Sequence, residues 1–338
     1  MNLKDPEYSK YALVQEMMQT VGVVEKFNPA QTKKVAEIIK AVGKLHLTGE
    51  GSSRIFPAKN AMRKAMTWGL DMAITTDGSR QSALYDLSKT AVFCASNSGR
   101  TKEVVLLAKI LRETGNSNRF GLTANEGTML ERECAETFVL NCGWEQAVAA
   151  TKSVVEQTLF YESIIWNIKG FDKSKELAAL PCLIEKALTL PIPAAITSWA
   201  AKASTIYFAG YNDGVAEELT LKTNEITRKK SDFLEGTYAV HGIEEVMDSN
   251  DIVFVIDPIE DEIQKFQEVL AQGVGLKVVA VADHETPFTT IRVPEAGDMK
   301  PYVFLCAGWN LLVEIGLAKG INLDKPDRAR KVGNEMII

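Results

Sequence analysis

Histidine is scarce in this chain: three residues in 338, with no HxxxH or HxH pair, which excludes a histidine-rich metal site. The five cysteines (Cys94, Cys134, Cys142, Cys182 and Cys306) form no CxxC pair. Their odd number fits a reduced protein in which each is a small buried hydrophobe. Basic excess is also missing. The net charge is −6 and the pI near 5.4, which predicts no general binding to nucleic acid or membrane surfaces. No apolar run reaches the ~18 residues of a membrane span. The opening residues Met1 to Pro6 are polar and lack the apolar segment of a signal peptide. Together these features predict a cytoplasmic protein. What is abundant is apolar sequence, 46% of the chain, enough to fill two cores.

That apolar sequence is arranged in short β-branched runs alternating with amphipathic helical patterns. This is the form of an α/β protein with parallel sheets flanked by helices. Strands are predicted at Lys44–Thr48, Ala91–Ala95, Arg119–Thr123, Thr205–Ala209, Ile252–Ile256 and Lys277–Val281. Helices are predicted at Tyr11–Phe27, Gln31–Val42, Arg54–Trp68, Thr101–Glu113, Ala147–Ile168, Val215–Lys229, Glu262–Gly273 and Tyr302–Lys319. The pattern repeats: Leu45 to Gly49 aligns with Ile206 to Gly210, and Ala91 to Ala95 with Ile252 to Ile256, both at an offset of 161. Two tandem domains follow, 1–170 and 171–338, divided in the polar stretch after Lys169 or in the helix beyond it.

Chemistry concentrates where strands hand over to helices. After Ala91–Ala95 comes Ser96-Asn97-Ser98-Gly99-Arg100-Thr101, a turn with three hydroxyls and an amide before a helix. Gly49-Glu50-Gly51-Ser52-Ser53 follows the Lys44–Thr48 strand in the same way. Helix N-termini present free N–H groups and attract phosphate, so the pair predicts a site for a phosphorylated small molecule. Ordinary capping explains one such turn; two in one α/β unit point to a site. Arg54 and Arg100 beside these turns are surface charges or binders of a second anion, such as an amino-acid carboxylate. The second half has Asp257-Pro258-Ile259-Glu260 where the first has its hydroxyls. Carboxylates repel phosphate and proline lacks an N–H, so the second half is expected to serve another purpose.

In that half, Glu218, Lys222 and Glu225 stand at spacings of four and three on one face of the Val215–Lys229 helix. Such a face is either solvated or able to supply a base and a cation for proton transfer at a sugar carbon. His241, between Val240 and Gly242, titrates near neutrality and is suited to ring opening, although lone histidines are commonly structural. His46 and His284 are expected to be structural or exposed. The polar tail from Gly320 to Lys331 is a frayed terminus or a lid.

In this arrangement the chain resembles the sugar isomerase (SIS) domain family, from about Leu45 to Lys331. Within that family it is similar to the isomerase half of glucosamine-6-phosphate synthase and to the fructosamine-6-phosphate deglycases. Gly51-Ser52-Ser53 resembles the family's G-T-S turn, and Ser96 to Thr101 its S-x-S-G-x-T turn; both bind sugar phosphate there. Val148-Ala149-Ala150-Thr151-Lys152 resembles a helix start that lines the same pocket. Glu218, Leu221, Lys222, Glu225 and Ile226 match the family's E-x-x-L-K-x-x-E-I helix, whose last glutamate moves a proton between C1 and C2. The family's H-G falls 15 residues after that isoleucine, on His241, which assists ring opening and often reaches a partner subunit's site. Asp324-Lys325-Pro326 with Lys331 resembles the tail whose lysine approaches the sugar carbonyl. Two departures stand out. The residues around His241 lack the family's glutamate and proline; Glu235, three residues earlier, is expected to replace the glutamate. No stretch resembles a glutaminase domain, so synthesis from glutamine is not expected of this sequence.

The resemblance thus implies an enzyme on a 6-phosphorylated amino sugar or fructosamine, a deglycase or deaminase or an aldose–ketose isomerase. Gly51, Ser52, Ser53, Ser96, Asn97, Ser98, Thr101, Ala149 and Thr151 would bind the substrate. Glu225 would be the base, with His241, Lys331, Lys222 and Glu218 completing the catalytic set. It implies no metal or organic cofactor, and a homodimer. The competing class is a non-catalytic sugar-phosphate sensor, which would keep the phosphate turns and lose the base.

Overall fold

The structure is a computed structural model and describes residues 1–336. It contains two parallel five-stranded sheets flanked by helices. The first comprises β1 (Lys44–Gly49), β2 (Ala73–Gly78), β3 (Ala91–Ala95), β4 (Arg119–Thr123) and β5 (Glu136–Val139), in the order β2-β1-β3-β4-β5. The second comprises β6 (Thr205–Gly210), β7 (Lys230–Glu235), β8 (Ile252–Ile256), β9 (Lys277–Ala282) and β10 (Thr289–Arg292), in the order β10-β9-β8-β6-β7. Counted within its own half, each sheet has the order 2-1-3-4-5, the flavodoxin-like doubly wound arrangement. Every pairing within the sheets is parallel.

All six expected strands are present, and all belong to the five-stranded sheets. The unanticipated strands are β2, β5, β7 and β10, which are the four sheet edges. The inner strands β3 and β8 are buried along their whole length, so their sequences are continuous apolar runs. The edges carry partly exposed, polar sequence such as Thr75-Thr76-Asp77 in β2. Register places Phe93 and Phe254 at equivalent points of β3 and β8. Phe93 stacks on Phe120 with centroids 5.1 Å apart, and Phe254 on Phe208 at 5.4 Å.

Grouping by contact does not follow a single cut at residue 170. The first-sheet unit comprises Gly22–Glu145, Ala150–Leu177 and Arg330–Ile338; the second-sheet unit comprises Met1–Val21, Gln146–Ala149 and Ala178–Ala329. Specific bonds explain the departures. In the second-sheet unit, Asp324 accepts the backbone N–H groups of Ala12 and Leu13 at 3.0 and 2.8 Å, and Glu16 accepts that of Ala147 at 3.3 Å. Backbone bonds between Arg100–Lys102 and Asn334–Met336 hold the tail within the first-sheet unit.

Helix ends fall within a few residues of expectation, with two corrections. The helix expected from Ala147 begins at Lys152, because the preceding backbone is turned around the Glu145 carboxylate. The one expected at Glu262–Gly273 is α-helical only over Ile263–Phe266 and continues in wider π-helical turns to Val274. Two further helices, Ser174–Thr189 and Ala194–Lys202, lie between the halves in sequence. Gly297–Ala318 is long and apolar enough to cross a bilayer, despite the interruptions at Lys300, Asn310 and Glu314. Of its apolar window, 83% is buried inside the protein, so its apolarity is that of a core helix.

Candidate functional site

The order of the first sheet reverses between β1 and β3, which pair directly. The crevice at the carboxyl ends of strands flanking such a reversal is where open α/β sheets bind ligands. Both hydroxyl-rich turns leave from these two strands. Their closeness is visible at Gly49, where a Cβ would stand 2.9 Å from the carbonyl oxygens of both Ala95 and Ser53. Only glycine lets the β1 turn lie this near β3.

Within the second turn the Ser96 and Thr101 hydroxyls are 2.8 Å apart. The Thr101 N–H points at Ser96 Oγ at 3.4 Å, and Arg100 N donates to Ser98 Oγ at 3.2 Å. Gly99 takes φ +63°, and a Cβ there would meet Thr128 at 2.3 Å. Thr101 is the N-cap of the Lys102–Glu113 helix but its side chain makes no capping bond. In the first turn Gly51 is left-handed at φ +54° and Ser52 is buried. Ser53 gives its carbonyl to Gln157 Nε2 at 2.6 Å, and Arg54 N closes the turn on the Gly51 carbonyl at 2.9 Å.

A residue absent from the sequence reading organises this region. Glu145 is fully buried and accepts hydrogen bonds from Asn97 Nδ2 (3.0 Å), Thr151 N (2.7 Å), Thr151 Oγ1 (3.1 Å) and Ser153 Oγ (2.6 Å). Lys331 Nζ lies 3.8 Å from the same carboxylate. One anion therefore ties together the Asn97 turn, the start of the Lys152–Lys169 helix and the tail lysine. The sequence signal for it is a lone glutamate six residues before Thr151. Ala149 is buried but groups with the second-sheet unit.

The tail itself lies along the Ser96–Thr101 turn. Thr101 and Glu335 form an antiparallel bridge. Lys102 N donates to the Asn334 carbonyl at 3.0 Å and Met336 N to the Arg100 carbonyl at 2.9 Å. Arg100 is ion-paired with Glu335 at 3.2 Å.

The second sheet reverses between β6 and β8, but its crevice is nearly closed, about 10 Å³ lined by Gly210, Asp257, Pro258 and apolar side chains. Asp257 sits at φ +48°, and Lys300 Nζ approaches it at 3.6 Å and Asp283 at 2.9 Å. The charged array of this unit is on the helix after β6, now Val215–Thr227. Lys222 Nζ is 3.3 Å from Glu218 Oε1 and 2.8 Å from Glu225 Oε2. Glu218 and Lys222 are fully buried, while the Glu225 side chain is 23% exposed. The face is thus not a solvated one: Glu218 and Lys222 are sunk into the protein, and only Glu225 reaches solvent. Burial alone would lower the Lys222 pKa, but Glu225 and Glu218 outweigh it and hold the ammonium above the ordinary lysine value.

His241 follows a short turn at Tyr238–Val240 and is exposed. Among the described residues its ring makes no hydrogen bond or ion pair with Glu218, Lys222 or Glu225. His46 is buried with both ring nitrogens 2.8 Å from hydroxyls, of Thr75 and Ser82, a structural placement. His284 is exposed and contacts Asp283 at 3.0 Å.

The family model of the SIS domain matches residues 38–166, the stretch that carries both hydroxyl turns. The chain is also similar to the isomerizing glutamine–fructose-6-phosphate aminotransferase of Aeropyrum pernix. The two are 25% identical over 266 residues, which is 72% of this chain and 43% of that protein. The chain therefore spans less than half the length of that relative. In fold it matches the C-terminal domain of glucosamine-fructose-6-phosphate aminotransferase from Francisella tularensis, with a TM-score of 0.78 at 17% identity, covering 95% of this chain and 100% of that one. It likewise matches glucosamine-6-phosphate deaminase from Thermotoga maritima, with a TM-score of 0.73 at 18% identity, covering 96% and 99%.

Proposed function

We propose that this protein is an enzyme acting on a 6-phosphorylated amino sugar or fructosamine in its open-chain form. The Glu218–Lys222–Glu225 array carries the reading. Burying Glu218 and Lys222 is costly, and replacing such an ion pair by apolar residues is often neutral or stabilising, so its presence favours chemistry over stability. In the proposed reaction Ser53, Ser96, Ser98 and Thr101 hold the phosphate through hydroxyls and helix-start N–H groups. Gly51, Ser52, Asn97 and Thr151 shape the same subsite. His241 opens the ring. Glu225 takes the C1 proton of the fructosamine, giving an enolamine, and returns it to C2, giving a C1 imine. Water then adds at C1 and the amine departs. Lys222, kept cationic by its two carboxylates, donates to the oxygen on which charge develops. Lys331 engages the carbonyl, and Glu218 sets the charge of Lys222. With an oxygen in place of the nitrogen, the same proton transfer is an aldose–ketose isomerisation. The proposal includes a homodimer, in which His241 serves the partner's site.

The test is incubation of the pure protein with fructose 6-phosphate, glucosamine 6-phosphate and 6-phosphofructosyl amino acids, followed by mass spectrometry. Amine release establishes C–N cleavage, and interconversion without release establishes an isomerase. Tight binding with no product assigns the protein to the sensor class. Glu225→Gln is expected to abolish turnover and leave sugar-phosphate affinity within about tenfold, the signature of an interaction made in the transition state. Retention of most turnover would remove Glu225 as the base.

A further inference from the structure

The expectation that each cysteine is a small buried hydrophobe holds for Cys94, Cys142 and Cys306, while Cys182 is exposed and Cys134 half-buried. Two of the five come together inside the first-sheet unit. Cys94 lies on β3, two residues before Ser96, and is in register with Gly121 of β4. Side chains in register on adjacent strands leave the same face of a sheet. Gly121 has none, and Cys134 enters the space from the end of the Met129–Glu133 helix: a Cβ on Gly121 would stand 3.2 Å from Cys134 Sγ. The two thiols are hydrogen-bonded to one another, and both pack with Val104, Val105 and Leu130.

The helix that carries Cys134 also supports the hydroxyl turn. Its N-cap Thr128 presses on Gly99, where a Cβ would meet the threonine side chain at 2.3 Å. Leu130 N donates to the Gly99 carbonyl at 3.1 Å, and Cys134 N to the Leu130 carbonyl at 3.1 Å. A displacement of the Cys134 backbone therefore reaches Gly99 through a single helical turn. The two thiols are not equivalent. Its hydrogen bond with Cys134, and then burial, hold the Cys94 thiol well above the ordinary cysteine value, so Cys94 is the resolving thiol. Cys134, which solvent reaches, is the attacking one.

We propose that Cys94 and Cys134 are a reversible oxidation site, a dithiol that a peroxide converts to a disulfide and that thereby loosens the Ser96–Thr101 turn. Cys134 sulfur attacks one peroxide oxygen. An S–O bond forms, the O–O bond breaks, and the second oxygen leaves as water with the thiol proton, giving a sulfenic acid. Cys94 sulfur then attacks Cys134 sulfur; the S–S bond forms, the S–O bond breaks, and the hydroxide departs as water with the Cys94 proton. Two thiols and one peroxide become one disulfide and two waters, and a dithiol reductant reverses the change. Disulfide sulfurs stand about 2.05 Å apart, far inside the contact of two thiols. Closure therefore draws the end of the helix toward β3 and shifts Thr128 against Gly99. The effect on a ligand rests on the reading that this turn holds a sugar phosphate; the bond and the loosening do not.

The experiment treats the full chain with hydrogen peroxide and digests it without reduction for mass spectrometry. A peptide cross-linked between Cys94 and Cys134, lost on adding dithiothreitol, is expected. In the oxidised protein, hydrogen exchange at the Gly99 amide, which donates to the Ser96 carbonyl at 2.9 Å, should rise at least about tenfold. Fructose 6-phosphate affinity, measured by calorimetry, should fall at least about tenfold, or about 1.4 kcal/mol. Cys134→Ser, at a half-buried position, should fold and show neither change on peroxide treatment. Absence of the cross-link, or pairing of Cys134 with another cysteine, overturns the site. A cross-link with unchanged Gly99 exchange, or with unchanged affinity in a protein that binds fructose 6-phosphate, overturns the coupling to the turn. Equal peroxide sensitivity of Cys134→Ser overturns it too, since the effect then belongs to another residue. If the cross-link forms and Gly99 exchange rises but the reduced protein binds no fructose 6-phosphate, the switch stands and the phosphate reading falls.

Discussion

At the scale of single residues, Lys222 has the largest stake. It sits between two carboxylates in a site that admits almost no water, and removing it leaves Glu218 buried without its lysine. Breaking a buried ion pair from one side costs about 3–5 kcal/mol. Lys222→Met is therefore expected to lower the unfolding free energy by that amount, and Lys222→Met with Glu218→Gln to recover most of it, as measured by urea denaturation. A loss under about 1 kcal/mol for the single variant would mean that the buried charges are hydrated in solution. The linkage has a definite sign. Because the folded-state pKa of Lys222 is raised, its stabilising contribution is complete below the unfolded value of 10.5 and is lost as pH climbs through the folded value. Lys222 thus keeps its charge across the neutral range. His46 shows the opposite economy, a buried imidazole kept neutral by burial and satisfied by two hydroxyls.

Among elements, the carboxyl-terminal strap makes the sharpest prediction. Its backbone bonds to Arg100 and Lys102 occupy polar groups at the start of the Lys102–Glu113 helix. Truncation after Lys331 should expose the Lys102 amide, raising its hydrogen exchange at least about tenfold without changing β9. Unaltered exchange would show that the strap does not stay seated in solution. The elements also show where sequence is informative. The inner strands were readable because both faces are buried and every position must be apolar, as in Ile252–Ile256. The edges were not, because one side faces solvent and residues such as Lys230, Ser231 and Asp232 of β7 carry no strand signature. The hydroxyl turns and the Glu218–Lys222–Glu225 spacing were equally legible, since each is local in the chain. Glu145 was not, because its partners Asn97, Thr151, Ser153 and Lys331 are scattered and only the fold gathers them. The same holds for burial of the array, which spacing cannot distinguish from a solvated face.

For the whole molecule, duplication has left two sheets of one topology with different crevices. The first keeps hydroxyls at its reversal point. The second fills the space with Pro258 and apolar side chains and draws Lys300 onto Asp257, and its buried charged array lies on the following helix instead. If His241 serves a neighbouring subunit, the protein should sediment at twice its chain mass of 37.2 kDa, and a monomer at micromolar concentration would remove that role. Around His241, Tyr238 and Val246 are 50% and 70% exposed, side chains that such an interface would cover. The strap also decides how the protein should be handled. Anything fused beyond Glu335 extends from a segment already paired with the Arg100–Thr101 backbone. A chain tethered to a sensor surface by its carboxyl end would therefore be held by a segment that lies along the turn proposed to bind phosphate. The weak binding such a chain reported would belong to the attachment, so labels and tethers are better placed on the exposed outer face of the Lys33–Val42 helix.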